Sequence, residues 1–109
     1  MPRIENIQQF EQWVQQFYEQ RQWSQYNPFI RAGFMMEEVG ELARAIRAIE
    51  IGRDRPDEEV MCYDHARQQL VEELGDILAN MLILSDKYDI SLDEIMNGHV
   101  AKLSARFDT

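Results

Sequence analysis

The chain has 109 residues, 45% of them apolar and 28% charged, with a formal net charge of −9. That length suits one compact domain over residues 1–109, and no apolar run approaches a membrane span. The acidic balance excludes a protein that grips a nucleic-acid polymer, because that task needs a basic face. Met1-Pro2-Arg3-Ile4-Glu5 lacks a signal-peptide pattern, and the single Cys62 allows no internal disulfide, so a cytoplasmic location without membrane attachment is expected.

Few glycines and prolines and no sustained strand-like alternation predict an all-α chain. A first helix is expected from about Ile4 to Arg21, where Ile7, Phe10, Val14, Phe17 and Tyr18 form an amphipathic stripe. An aromatic connection follows, Trp23 to Phe29. Asn27 reads as an N-cap and Pro28 as the first helical residue of a second helix, which runs to Glu50 and stops at Gly52. Its apolar stripe is Met35, Val39, Leu42, Ile46 and Ile49. The third helix begins either at Pro56, ahead of three acids, or after an Asp64 cap, and certainly covers Gln68 to Lys87. Its stripe is Leu70, Leu74, Ile77, Met81 and Leu84. Ser91 with Glu94 three residues on is a capping box that opens a fourth helix to about Arg106. Four helices with short links predict a bundle-like fold.

One hexapeptide occurs twice. Glu37-Glu38-Val39-Gly40-Glu41-Leu42 returns 35 positions later as Glu72-Glu73-Leu74-Gly75-Asp76-Ile77. At about 100° per residue, Glu38 lies about 60° from the centre of its helix's apolar stripe and Glu41 about 120° away on the same flank. Glu73 and Asp76 fall at matching angles on the third helix. Each i, i+3 pair is separated by about 4.5 Å along the axis, close enough to share an ion. Chance alone supplies roughly three or four acid-x-x-acid pairs in so acidic a chain, so a single pair would mean little. Two copies at equal angles mean more. Gly40 and Gly75 each cost about 1 kcal/mol in a helix interior, which suggests close approach of a helix or a ligand. Crowded carboxylates without Cys or His point to a hard cation, Mg²⁺ with Mn²⁺ as a substitute.

These residues resemble the signature of the MazG-type all-α nucleoside triphosphate pyrophosphohydrolases. Arg21-Gln22-Trp23 ahead of Asn27-Pro28, followed by Glu38-Val39-Gly40-Glu41-Leu42, resembles the dCTP pyrophosphatase branch. Lys102-Leu103-Ser104-Ala105-Arg106-Phe107 resembles the closing segment of MazG proteins. The chain departs from the pattern in an apparent insertion over 52–66. It departs again in the last helix, where His99 and Leu103 stand at the positions of that branch's phosphate-contacting Lys and Asn.

The resemblance implies a bundle-like MazG fold completed by oligomerisation, as a homodimer or homotetramer. It also implies Mg²⁺-dependent hydrolysis of a nucleoside triphosphate to monophosphate and pyrophosphate, in nucleotide-pool housecleaning. The implied metal ligands are Glu38, Glu41, Glu73 and Asp76. Glu37 or Glu72 would orient or deprotonate the attacking water. Asn80, one turn after Asp76, and the cations Lys102 and Arg106 are candidates for phosphate contact. Phe17, Trp23, Tyr26 and Phe34 are candidates for a base slot. Two other classes compete: a non-catalytic acidic helical adaptor, and a carboxylate-bridged di-iron bundle. The latter uses Glu-x-x-His, a spacing that neither His65 nor His99 satisfies.

Overall fold

The computed structural model describes residues 2–52, 56 and 62–107. It consists of α1 (Ile7–Gln20), one turn of 3₁₀ helix (Trp23–Gln25), α2 (Pro28–Glu50), α3 (Tyr63–Lys87) and α4 (Leu92–Phe107), with no strand among the described residues. The all-α expectation therefore holds, and no helix is long and apolar enough to cross a membrane.

Caps set the helix limits. The Asn6 side chain accepts from the Gln9 N–H at 2.9 Å, so α1 starts three residues after the expected Ile4. Asn27 accepts from the Ile30 N–H at 3.0 Å with Pro28 behind it, as expected for α2. That helix ends where Gly52, at φ +85°, donates to the Arg47 carbonyl. Ser91 accepts from the Glu94 N–H at 3.1 Å and opens α4. The Asp64 cap is corrected: α3 begins at Tyr63, with the Ala66 N–H on the Cys62 carbonyl, and Asp64 sits inside the first turn, where the macrodipole favours a carboxylate. The alternative start at Pro56, and most of the 52–66 insertion, fall outside the described residues.

The chain divides into two compact units, Gln25–Met81 and Met1–Ser24 with Leu82–Thr109. In the second of these, Val14 on α1 and Leu82 and Ile83 on α3 are the buried apolar residues, and Lys87 donates to the Ser24 carbonyl. Gln25–Met81 has a different core. Among the described residues its buried members are Ala45, Ala66 and Ala79, together with Arg31 and Asn80. The predicted stripe residues Val39, Ile46, Leu74 and Met81 are exposed, at 39%, 44%, 51% and 44%. Helical periodicity located the apolar side of each helix but not the face that a neighbouring helix of the same unit covers.

α1 leaves its last turn through Gln22, at φ +61°. A side chain with a Cβ pays about 1 kcal/mol or more for this left-handed backbone, and glycine does not. Gln22→Gly is expected to stabilise the protein by about 1 kcal/mol, read as a thermal midpoint raised by about 4–8 °C. An unchanged or lower midpoint would contradict strain at this position.

Candidate functional site

Two contacts fix how α2 meets α3 within Gln25–Met81. The Arg31 Nη1 donates to Asn80 Oδ1 at 3.0 Å, and one carboxylate oxygen from each of Glu38, Glu73 and Asp76 lies within 4.8 Å of the others. Seven residues forward on α2, from Arg31 to Glu38, correspond to seven residues back on α3, from Asn80 to Glu73. The helices are therefore antiparallel. The same register continues to Ala45 and Ala66, which are 2% and 1% exposed. Alanine adds nothing beyond Cβ, so the seam can close tightly at that end.

Closing the seam forces like charges together. Hydrogen bonding from Glu73, then burial and the Glu73 charge, push the Glu38 carboxyl above its ordinary range, with Glu41 adding to the rise and a hydrogen bond from Asp76 opposing it. Burial of its carboxyl end, followed by the charge of Glu38 and then of Glu72, raises Asp76, although the residue as a whole stays exposed. Glu73 Oε2 is buried with no hydrogen-bond partner among the described residues. A buried carboxylate oxygen left without a donor is costly. A divalent cation bound by oxygen ligands would satisfy it and relieve the repulsion. The donor set therefore fits a hard cation.

The remaining predicted residues are distributed as follows. Glu41 is exposed and lies outside the three-carboxylate group, acting on Glu38 through its charge. Glu37 and Glu72 are exposed. Asn80 is 4% exposed and engaged at both ends of its amide, accepting from Arg31 and donating to the Asp76 carbonyl at 2.8 Å. Lys102 and Arg106 are exposed on α4.

The four aromatic candidates separate into two groups. Phe17 stacks on Trp13 at 4.8 Å and meets Trp23 edge-on at 5.9 Å, while the Arg21 guanidinium lies 3.6 Å from the Phe17 centroid. Tyr26 and Phe34 meet edge-on at 5.9 Å, with the Arg31 guanidinium 5.8 and 5.4 Å from their centroids. Arg21 entered the sequence reading only within the Arg21-Gln22-Trp23 segment, and Arg31 not at all. For Arg31 a signal existed, since it precedes Glu38 by a heptad just as Asn80 follows Glu73.

The helix-approach half of the glycine expectation needs correction. A Cβ built on Gly40 or Gly75 meets nothing within 4 Å, so neither glycine is required by helix packing within the chain. Both positions are helix interior. Gly40→Ala and Gly75→Ala should each stabilise the metal-free protein by about 1 kcal/mol in denaturant titration.

A second expectation concerns pH. The folded-state affinity of Glu38 and Asp76 for protons exceeds that of the unfolded chain, so their contribution to stability is fully present below the ordinary carboxylate range and is lost as pH rises through the raised folded values. Glu38→Gln removes one of these titrations. Metal-free Glu38→Gln should therefore melt above wild type at pH 7, and the advantage should shrink as the pH approaches about 4. A variant melting below wild type at pH 7 would contradict the crowding.

Comparison with known proteins places this geometry in context. Residues 31–109 match the model of the MazG nucleotide pyrophosphohydrolase domain, a segment that includes both acidic hexapeptides and the α2–α3 seam. YvdC of Bacillus subtilis (strain 168), an uncharacterized protein, is 54% identical over 98 residues, covering 90% of this chain and 92% of its own. No solved structure matches the chain. An all-α chain whose doubled acidic motif converges on one seam, and which matches that domain from Arg31 onward, belongs to the MazG nucleotide pyrophosphohydrolase family.

Proposed function

We propose that the protein hydrolyses a nucleoside triphosphate to the monophosphate and pyrophosphate with Mg²⁺, serving nucleotide-pool housecleaning, and that residues 1–109 act as one functional domain. The observation that carries this reading is the convergence of Glu38, Glu73 and Asp76 within 4.8 Å around a buried carboxylate oxygen that lacks a hydrogen-bond partner. A divalent ion held there neutralises anionic phosphate oxygens and acidifies water when bound. Glu38, Glu73 and Asp76 hold it, and Glu41, one turn from Glu38, is the fourth ligand. Mn²⁺ suits the same oxygen donors.

The chain's own groups do the rest. Pyrophosphate release requires water to form a bond to the α-phosphorus while the bond to the α–β bridging oxygen breaks. Glu37 or Glu72, both exposed beside the ligands in sequence, takes the proton that the water loses. Tyr26 and Phe34, which share the unit Gln25–Met81 with the acidic cluster, offer aromatic rings to the base. Asn80, one turn after Asp76, accepts from Arg31 and donates to the Asp76 carbonyl, and so supports the site from within the protein.

Homo-oligomerisation belongs to the same reading. Val39, Ile46, Leu74 and Met81 present exposed apolar surface on α2 and α3, and Met96, Val100, Leu103 and Phe107 do so at helical spacing on α4. Apolar surface on this scale favours association between copies.

A pyrophosphate-release assay over a panel of canonical and modified nucleoside triphosphates, with Mg²⁺ or Mn²⁺, tests the activity. Glu38→Gln and Asp76→Asn are expected to abolish release while remaining folded, and full turnover by either would overturn the assignment. Adding about 5 mM MgCl₂ should raise the melting temperature above a salt-matched chelator control, since a ligand that prefers the native state stabilises it.

A further inference from the structure

We propose that Arg31 and Asn80 are positioning residues, a buried polar rung that sets the α2–α3 register in which the acidic cluster can take up its cation. The inference rests on the metal-dependent reading above. Arg31 and Asn80 are each 4% exposed, yet the rung they form is polar. An apolar pair of similar volume at such a place is usually as stable or more so, which makes stability a poor explanation for it. What a polar rung does supply is register. An Arg–Asn hydrogen bond is satisfied in one alignment of the helices, whereas small alanines such as Ala45 and Ala66 pack almost equally well in neighbouring ones.

The geometry connects the rung to the cluster on both helices. On α3, Asn80 Nδ2 donates to the carbonyl of Asp76, one turn back, which orients the amide so that its Oδ1 faces Arg31. On α2, Arg31 stands seven residues before Glu38, about 10.5 Å along the axis. The rings of Tyr26 and Phe34, 5.8 and 5.4 Å from the guanidinium, hold the arginine from its own side of the seam. A one-residue rotation or a one-turn slip of α3 would break the Arg31–Asn80 bond and carry Glu73 away from Glu38 at the same time. The rung therefore holds a cluster that would otherwise relax apart under its own repulsion.

The test replaces the rung with apolar side chains in Arg31→Met/Asn80→Leu and measures two quantities: melting temperature in chelator, and Mg²⁺ uptake by calorimetry. The expected result is a folded protein, melting in chelator near or above wild type, whose Mg²⁺ affinity is weaker by about ten-fold or more, the usual effect of losing groups that orient metal ligands. Arg31→Lys, which can still donate to Asn80 Oδ1, should keep more of the affinity than Arg31→Met. Should the double variant not fold, Asn80→Ala, which removes both hydrogen bonds but keeps a good helix former, decides on the same readout. Wild-type affinity in the folded double variant, or in Asn80→Ala, overturns the proposal, as does equal loss in Arg31→Lys and Arg31→Met. If wild type itself takes up no Mg²⁺, the metal-dependent reading falls and this inference with it, a result distinct from failure of the rung alone.

Discussion

The α2–α3 seam works against electrostatic repulsion. Two carboxylates about 5 Å apart oppose each other by about 3 kcal/mol at an effective dielectric near 20. Glu38, Glu73 and Asp76 lie within that range of one another. Left alone, the helices would relieve this by sliding or parting. The Arg31–Asn80 hydrogen bond ties the helices at one end of the seam, and the register puts the buried Ala45 and Ala66 toward the other. The raised proton affinity of Glu38 and Asp76 expresses the same tension as chemistry. A cation between the helices would turn the most unfavourable part of the unit into its strongest cross-link.

This arrangement explains why the buried residues described in Gln25–Met81 are alanines and polar groups. A helix pair that must bring acidic side chains together cannot also devote the same face to large aliphatic residues. The seam is therefore alanine and polar groups, and Val39, Ile46, Leu74 and Met81 are displaced to an adjoining exposed face. A second surface rich in apolar side chains follows from placing charged ligands at the first. The crowded carboxylates and the exposed apolar surface are thus two results of one division of helix faces.

Membership of the MazG nucleotide pyrophosphohydrolase family fits this physical picture. Phosphoryl transfer asks little of the protein beyond positioning and charge neutralisation. What the chemistry does demand is a set of carboxylates held still. Rigid helices meeting in a defined register meet that demand better than loops do.

Much of this was legible in the residues. The caps at Asn27 and Ser91 and the stop at Gly52 are local hydrogen-bonding and backbone properties, so sequence alone determined them. The start of α1 moved only because Asn6 caps more strongly than a count of apolar positions can express. Helical angle, a function of residue number, picked out Glu38, Glu41, Glu73 and Asp76 together, and the structure groups three of them while Glu41 lies outside. Three things were decided by tertiary structure. The buried face of Gln25–Met81 turned out to be a polar and alanine seam, which hydrophobic periodicity cannot select. Gly40 and Gly75 proved to have open space beside them, a property of neighbours and not of the helix itself. Arg31 acquired its place only when α3 brought Asn80 to it from 49 residues away, since a hydrogen bond between distant residues depends on the register of two helices, and no single helix's sequence specifies that.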